Sequence, residues 1–186
     1  MQRIFDIIFS FLALVLLAPF LLPVMVILRL TGEGEVFYIQ QRAGYKDNEF
    51  GLLKFATMLK DSPRIGTGEI TVKGDPRVLP FGKLLRKTKL NELPQLWNVV
   101  KGEMSLVGPR PLFEEDNEYF DKNYMRRLNV LPGMTGLLQI NERNTDDFSV
   151  WYKYDIEYIE NWNLYLDIKI LLKTFNALKR DNTSGK

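Results

Sequence analysis

The sequence predicts an α+β fold, mostly helical, with one small β-hairpin and an N-terminus seated in a membrane. Three observations predict it. Ile7–Leu28 carries no charged residue. Two short β-prone runs, Val36–Gln41 and Phe50–Phe55, flank the polar turn Gly44-Tyr45-Lys46-Asp47-Asn48, which is a hairpin pattern. Apolar residues at helical spacing run through much of the remaining chain, ending in the aromatic-rich stretch Ser149–Arg180.

Composition narrows the chemistry before any motif is read. The 186 residues have room for one globular domain plus an appendage. A net charge of +2 lacks the basic excess of a nucleic-acid binder, so no nucleic-acid partner is expected. The chain has no cysteine and no histidine. Disulfides, thiolate nucleophiles, cysteine-type zinc sites and the commonest general base are thereby removed. A bound metal must be held by oxygen, which favours Mg²⁺ or a similar hard cation. Acid–base or nucleophilic work falls to Asp, Glu, Lys, Tyr, Ser or Thr.

In chain order, Ile7–Leu28 comes first. Its apolar run is broken only by Ser10, Pro19 and Pro23. As a helix it reaches roughly 33 Å at 1.5 Å per residue, enough to cross a bilayer core. It is too long for a signal-peptide apolar region. Two topologies stay open: a single kinked spanning helix, or a re-entrant hairpin that enters and leaves by one face. Pro19, near the middle, would break the helix into halves of about 12 to 15 residues, each too short to span. Arg3 and Arg29 flank both ends, so charge gives a crossing helix no clear orientation, whereas both ends on the cytoplasmic side would satisfy it.

Thr31–Glu35 reads as a linker out of the membrane, and the hairpin follows. Asp61–Gly82 is rich in Gly, Pro and charge and reads as a long loop, a length usually reserved for function. Leu84–Val100 has helical apolar spacing, and Pro94 places the helix start near Asn91. Glu114–Asn129 reads as a polar helix and Pro132–Gly136 as a turn cluster. Ser149–Arg180 reads as one amphipathic helix that interleaves Trp151, Tyr152, Tyr154, Tyr158, Trp162 and Tyr165 with acids and lysines. Trp and Tyr favour the membrane–water boundary, and Lys169, Lys173, Lys179 and Arg180 add attraction to anionic lipid. The expected organisation is a membrane anchor at residues 1–30, a globular domain at 31–180 and a polar tail at 181–186.

The richest chemical segment is Lys89–Pro111, KLNELPQLWNVVKGEMSLVGPRP. Its adjacent amide and carboxylate, Asn91 and Glu92, precede a Gly-Glu turn and a Gly-Pro-Arg-Pro corner. That density of turn residues, acid and arginine points to a site for phosphate and a metal. Taken singly, Glu92 is also a good partner for a helix dipole and Asn91 a good helix N-cap. A lone arginine is more often a surface ion pair, whereas several converging guanidinium groups grip phosphate bidentately.

These motifs resemble, over nearly the whole chain, the bacterial sugar transferases known as monotopic phosphoglycosyl transferases. The matching segments are Gln40-Gln41-Arg42-Ala43-Gly44, Lys54–Met58, Asp75-Pro76-Arg77, Leu90–Pro111, Pro132–Arg143 and Leu166–Ile170. The resemblance implies a re-entrant membrane helix broken at a Ser-Pro pair, matched here by Ala18-Pro19. It implies a cytoplasmic domain, at the bacterial inner membrane, that transfers a sugar 1-phosphate from a UDP-sugar to polyprenyl phosphate and releases UMP. It implies Mg²⁺ bound by Glu92, with Lys54, Arg86, Arg110 and Arg143 around the phosphates. Asp155 and Asp167 match late motifs and are expected to partner the arginines. Partners are therefore a UDP-sugar, polyprenyl phosphate and membrane lipid, with monomer and homodimer both open.

Three positions depart from the pattern. Ala56 replaces a basic residue, and Glu142 replaces a glycine. Asn91 stands where the family has the nucleophilic Asp, and an uncharged amide is a poor nucleophile. Two catalytic routes survive: attack by Glu92, or direct attack by the lipid phosphate. The alternative is an impaired homologue that binds nucleotide sugar or a biosynthetic partner without turnover.

Overall fold

A computed structural model describes residues 2–68, 71–72, 74–113, 122–142, 145 and 147–183, with side chains through 177. The element order is α1 (Gln2–Thr31), β1 (Phe37–Ala43), β2 (Glu49–Phe55), α2 (Pro80–Lys87), α3 (Gln95–Lys101), β3 (Ser105–Val107), β4 (Gly133–Thr135), α4 (Leu137–Asn141), α5 (Phe148–Asn161) and α6 (Leu164–Thr183). The fold is mostly helical, as expected. The hairpin lies within two residues of the expected strands, in register from Phe37↔Phe55 to Ala43↔Glu49.

Helix α1 is long and apolar enough to cross a membrane. It is assigned as one helix through both Pro19 and Pro23. One side is exposed, including Phe9, Leu16, Phe20 and Leu30. The other side packs on the globular body along its length. Phe5, Ala13, Leu14 and Leu17 meet the main core of Phe50, Leu52, Leu96, Val99, Met104, Val107, Tyr158 and Ile170. Leu21, Val24 and Met25 meet a second cluster of Leu28, Phe55 and Leu85. Each such side chain, fully buried, contributes about 1.5–3 kcal/mol. Polar contacts pin the N-terminal end. Arg3 Nη2 donates to the Val100 carbonyl at 3.0 Å, and Ser105 Oγ donates to Asp6 Oδ2 at 2.8 Å.

Five expectations about local structure are corrected. Asp61–Gly82 ends earlier as a loop, because Pro80 opens α2 at a first-turn position that needs no N–H donor. The loop is gathered around one guanidinium: Arg77 donates to the carbonyls of Ser62, Ile65 and Gly68, each at 2.7 Å, and to Asp75 Oδ2 at 2.6 Å. Helix α3 starts at Gln95, not near Asn91. Leu90–Glu92 forms a separate 3-10 turn entered through Lys89 at φ +60°, and Pro94 caps α3. Gly102, at φ +97°, ends it in the left-handed conformation that favours glycine.

The described part of Glu114–Asn129 is a 3-10 segment, Tyr124–Asn129, and residues 114–121 lie outside the described set. Pro132–Gly136 contains a strand, β4, which pairs parallel with β3 through Ser105↔Gly133 and Val107↔Thr135. A pairing between segments so distant in sequence leaves no local pattern. The expected Ser149–Arg180 helix is two. It breaks at Trp162-Asn163, where Asn163 Oδ1 accepts from Leu166 N at 2.9 Å and caps α6. Helix α6 runs on to Thr183, into the expected tail.

Candidate active site

The site is built on the inward face of the hairpin. Strand alternation places Gln40 and Arg42 of β1 on the same face as Leu52 and Lys54 of β2. The 3-10 turn after α2 brings Asn91 and Glu92 against that face, and the Gly-Pro-Arg-Pro corner after β3 delivers Arg110. Lys54, Arg86, Asn91, Glu92 and Arg110 all line one cavity of about 540 Å³, together with Arg42, Phe113, Thr57 and the loop residues Ser62, Pro63 and Thr71. Of the six site residues singled out by sequence, five therefore converge. Arg143 lies outside the described residues.

The contacts within the cavity are specific. Arg110 Nη2 stands 3.6 Å from Glu92 Oε1. Lys54 Nζ donates to Gln40 Oε1 at 2.5 Å, and Arg42 Nη2 donates to the same oxygen at 2.9 Å. The Arg42 guanidinium lies 3.3 Å from the centre of the Phe113 ring. Arg86 Nη1 donates to Thr57 Oγ1 at 3.3 Å. Asn91 is buried, and its Oδ1 has no hydrogen-bond partner among the described residues. A buried acceptor left unmet costs about 1–3 kcal/mol unless a ligand satisfies it. Asn91 does not act as the cap of α3, a role taken by Pro94.

Electrostatics favour an anionic ligand. Five cationic side chains line the cavity (Arg42, Lys54, Lys60, Arg86 and Arg110) against three acids, Glu33, Glu35 and Glu92. Loss of hydration pushes the Lys54 ammonium down to about 7; Arg42, Arg110 and Arg86 add to the shift, and Glu92 opposes it. Loss of hydration also lowers Arg86, again opposed by Glu92. A diphosphate in this cavity would relieve the crowding of positive charge.

Among the described residues no group of three His, Cys, Asp or Glu could hold a metal. Among the oxygen donors lining the cavity, the adjacent Glu92 and Asn91 would suit a hard cation that takes its remaining ligands from the diphosphate and water.

Of the two late aspartates, Asp155 has an arginine partner, though not one named from sequence. Arg127 Nη2 lies 3.1 Å from Asp155 Oδ2. Asp167 has neutral partners instead. It accepts from Tyr158 at 2.8 Å, Trp162 at 3.1 Å and Gln2 at 3.1 Å, tying α5 and α6 to the start of α1. Sequence reasoning missed Gln40 and Arg42 as site residues. The available signal was their i, i+2 spacing in a strand across from Lys54, readable only once the hairpin register is known.

Comparisons with known proteins give the family. The bacterial sugar transferase family profile matches residues 1–181. The exopolysaccharide production protein ExoY of Sinorhizobium fredii is 37% identical, over 95% of this chain and 84% of that protein. A UDP-galactose-lipid carrier transferase of Erwinia amylovora is 37% identical over 97% of this chain and 41% of its own length. An undecaprenyl-phosphate glucose phosphotransferase of Komagataeibacter xylinus is 38% identical over 97% of this chain and 35% of its own length. The chain thus spans most of the first protein and less than half of the two longer ones. With a matching profile over nearly its full length and a cavity of cations around Asn91-Glu92, this chain belongs to the bacterial sugar transferase family.

Proposed function

We propose that the protein transfers a sugar 1-phosphate from a UDP-sugar to polyprenyl phosphate at the cytoplasmic face of the inner membrane, as a first step in polysaccharide assembly. The observation that carries this reading is the convergence of Lys54, Arg86, Arg110 and Arg42 on Asn91 and Glu92 in one cavity. Those cations offset the charge of two phosphorylated substrates. The names of the relatives, which include lipid-carrier and undecaprenyl-phosphate sugar transferases, support the same substrates.

Asn91 argues for transfer without a covalent enzyme intermediate. Glu92 is paired with Arg110 and is a proposed ligand of Mg²⁺, so it is engaged rather than offered for attack. In the proposed step an oxygen of the lipid phosphate forms a bond to the sugar-bearing phosphorus. The bond from that phosphorus to the bridging oxygen breaks, and UMP leaves with the electron pair. Lys54, Arg86 and Arg110 hold the phosphates in line. Glu92 and Asn91 Oδ1 would hold Mg²⁺, which would supply Lewis-acid stabilisation of the diphosphate. Arg143 is proposed as a further phosphate ligand on motif grounds alone.

A monotopic, re-entrant seat for α1 fits the contacts at its two ends. Arg3 and Asp6 at one end and Leu28 at the other both pack on the same globular body. A straight crossing would carry one end about 30 Å away. Helix α6 presents Tyr165, Ile168, Leu172 and Phe175, all exposed at helical spacing, for the membrane interface.

The test is UMP release from UDP-sugars with Mg²⁺, with and without polyprenyl phosphate. Release only with the lipid supports direct transfer. Release without it, or a sugar-phosphate adduct in the intact mass, overturns the direct route. No release under any condition, with nucleotide-sugar binding intact, favours the second reading suggested by Asn91, a binding protein without turnover.

A further inference from the structure

We propose that Arg127, held by Asp155 and Tyr124, is a positioning residue that aims Arg110 into the cavity; this rests on the reading of the cavity as a nucleotide-sugar site. None of the three lines that cavity. All three are buried, Tyr124 to 1% exposure. Arg127 Nη1 donates to Tyr124 Oη at 3.0 Å, and Tyr124 Oη donates to Asp155 Oδ2 at 3.2 Å. Arg127 Nη2 reaches both Asp155 Oδ2, at 3.1 Å, and the main-chain carbonyl of Arg110. A buried guanidinium needs a paired carboxylate, and Asp155 supplies it.

The Gly-Pro-Arg-Pro corner explains why that last bond matters. Pro109 and Pro111 have no N–H, so the corner is anchored largely through its carbonyls. Gly133 N donates to the Pro109 carbonyl at 2.8 Å and Ala43 N to the Leu112 carbonyl at 3.1 Å. The Arg110 carbonyl is held by the Arg127 guanidinium. Pro111 also confines Arg110 to extended backbone. Within that extended range the Arg110 ψ angle can still vary by about 40°, and this turns the Arg110 Cα and its side chain relative to the corner. Arg127 fixes that angle, and Arg110 Nη2 comes to rest 3.6 Å from Glu92 Oε1. A lysine cannot make the three fork-shaped contacts at once.

The experiment measures UDP affinity by calorimetry, with KM and kcat for transfer, on the full chain in nanodiscs. The variants are Arg127→Lys, Tyr124→Phe, Arg110→Ala and the double variant Arg127→Lys/Arg110→Ala. Expected is a loss of about tenfold in UDP affinity for Arg127→Lys and a smaller loss for Tyr124→Phe. The double variant should bind no more weakly than Arg110→Ala alone, because Arg127 acts through Arg110.

A further multiplicative loss in the double variant overturns the proposal. So does unchanged UDP affinity in Arg127→Lys with only a lower melting midpoint, which would make Arg127 a structural strut. If Arg127→Lys fails to fold, the comparison is made with Tyr124→Phe in both backgrounds, where additivity is again fatal. If the wild-type protein binds UDP with this coupling but never releases UMP, the transfer reading fails and the positioning role stands. No UDP binding by the wild-type protein overturns both.

Discussion

The side-chain oxygen of Gln40 accepts from Lys54 Nζ at 2.5 Å, and so ties a buried lysine of the cationic cavity to strand β1. Burial pushes the Lys54 ammonium down to about 7; the fields of Arg42, Arg110 and Arg86 add to the shift, and Glu92 opposes it.

This makes anion binding pH-dependent. Lys54 is charged below about 7 and loses its charge above it, whereas a diphosphate diester stays ionised across that range. A bound UDP-sugar favours the ammonium, so binding takes up a proton above neutrality. Affinity should fall by at most about fivefold between pH 7 and pH 8, and by nearer tenfold per pH unit only beyond that. In Lys54→Met, calorimetric titrations across the same range should be flat and weaker throughout.

Asn91→Asp should change the order of events at the site. It places a carboxylate where the unmet Asn91 Oδ1 now lies, among cations that compensate its charge. The variant is expected to release UMP from UDP-sugar without polyprenyl phosphate and to carry a sugar-phosphate adduct in its intact mass, unlike the wild type. The added negative charge should also raise the Lys54 titration point, observable as a shifted pH profile.

Gly133→Ala should unsettle the corner that carries Arg110. A methyl group at Gly133 would overlap the main chain of Gly108, and Gly133 pairs with Ser105 across the β3–β4 contact. Backbone on both sides cannot yield as a side chain does, so the cost is expected at or above the upper end of the usual 1–3 kcal/mol for overpacking. Chemical denaturation reads the loss. UDP affinity should fall with it, because the Pro109 carbonyl loses its alignment with Gly133 N.

The loop between β2 and α2 should respond to acid through Asp75. The Arg77 guanidinium holds its carboxyl well below the usual carboxylate range. The resulting stabilisation is fully present above the unfolded carboxylate value of about 3.9 and is lost as pH falls through the lowered folded value. The wild-type melting midpoint should therefore drop steeply below about pH 4, and Asp75→Asn should start lower at neutral pH and fall less on acidification. Arg77→Met should release the loop carbonyls of Ser62, Ile65 and Gly68, seen as faster amide exchange there.

Local chemistry made much of this protein legible in sequence. The hairpin was readable because strand alternation and turn residues act over a few positions. Helix α1 was readable because the absence of charge over Ile7–Leu28 needs no partner to be recognised. The expectation of an oxygen-held metal rested on the absence of His and Cys, and Lys54, Arg86, Asn91, Glu92 and Arg110, which share one cavity, were marked by their motifs.

Tertiary structure decided what depends on distant pairing. The β3–β4 contact joins segments 28 positions apart, from Ser105 to Gly133, and neither has strand-like alternation. Gln40 and Arg42 became site residues only through hairpin register against Lys54, and Arg127 became relevant only where Asp155, 28 positions away, buried its charge. The break at Trp162-Asn163 divided an apparently continuous helix, with Asn163 accepting from Leu166 N at the start of α6 and Tyr158 and Ile170 meeting in one core from the two sides of the break. Sequence determined which cationic, amide and carboxylate groups this protein carries; the hairpin register and the Arg110 corner decided that they meet in one cavity, because convergence is a property of register and burial rather than of composition.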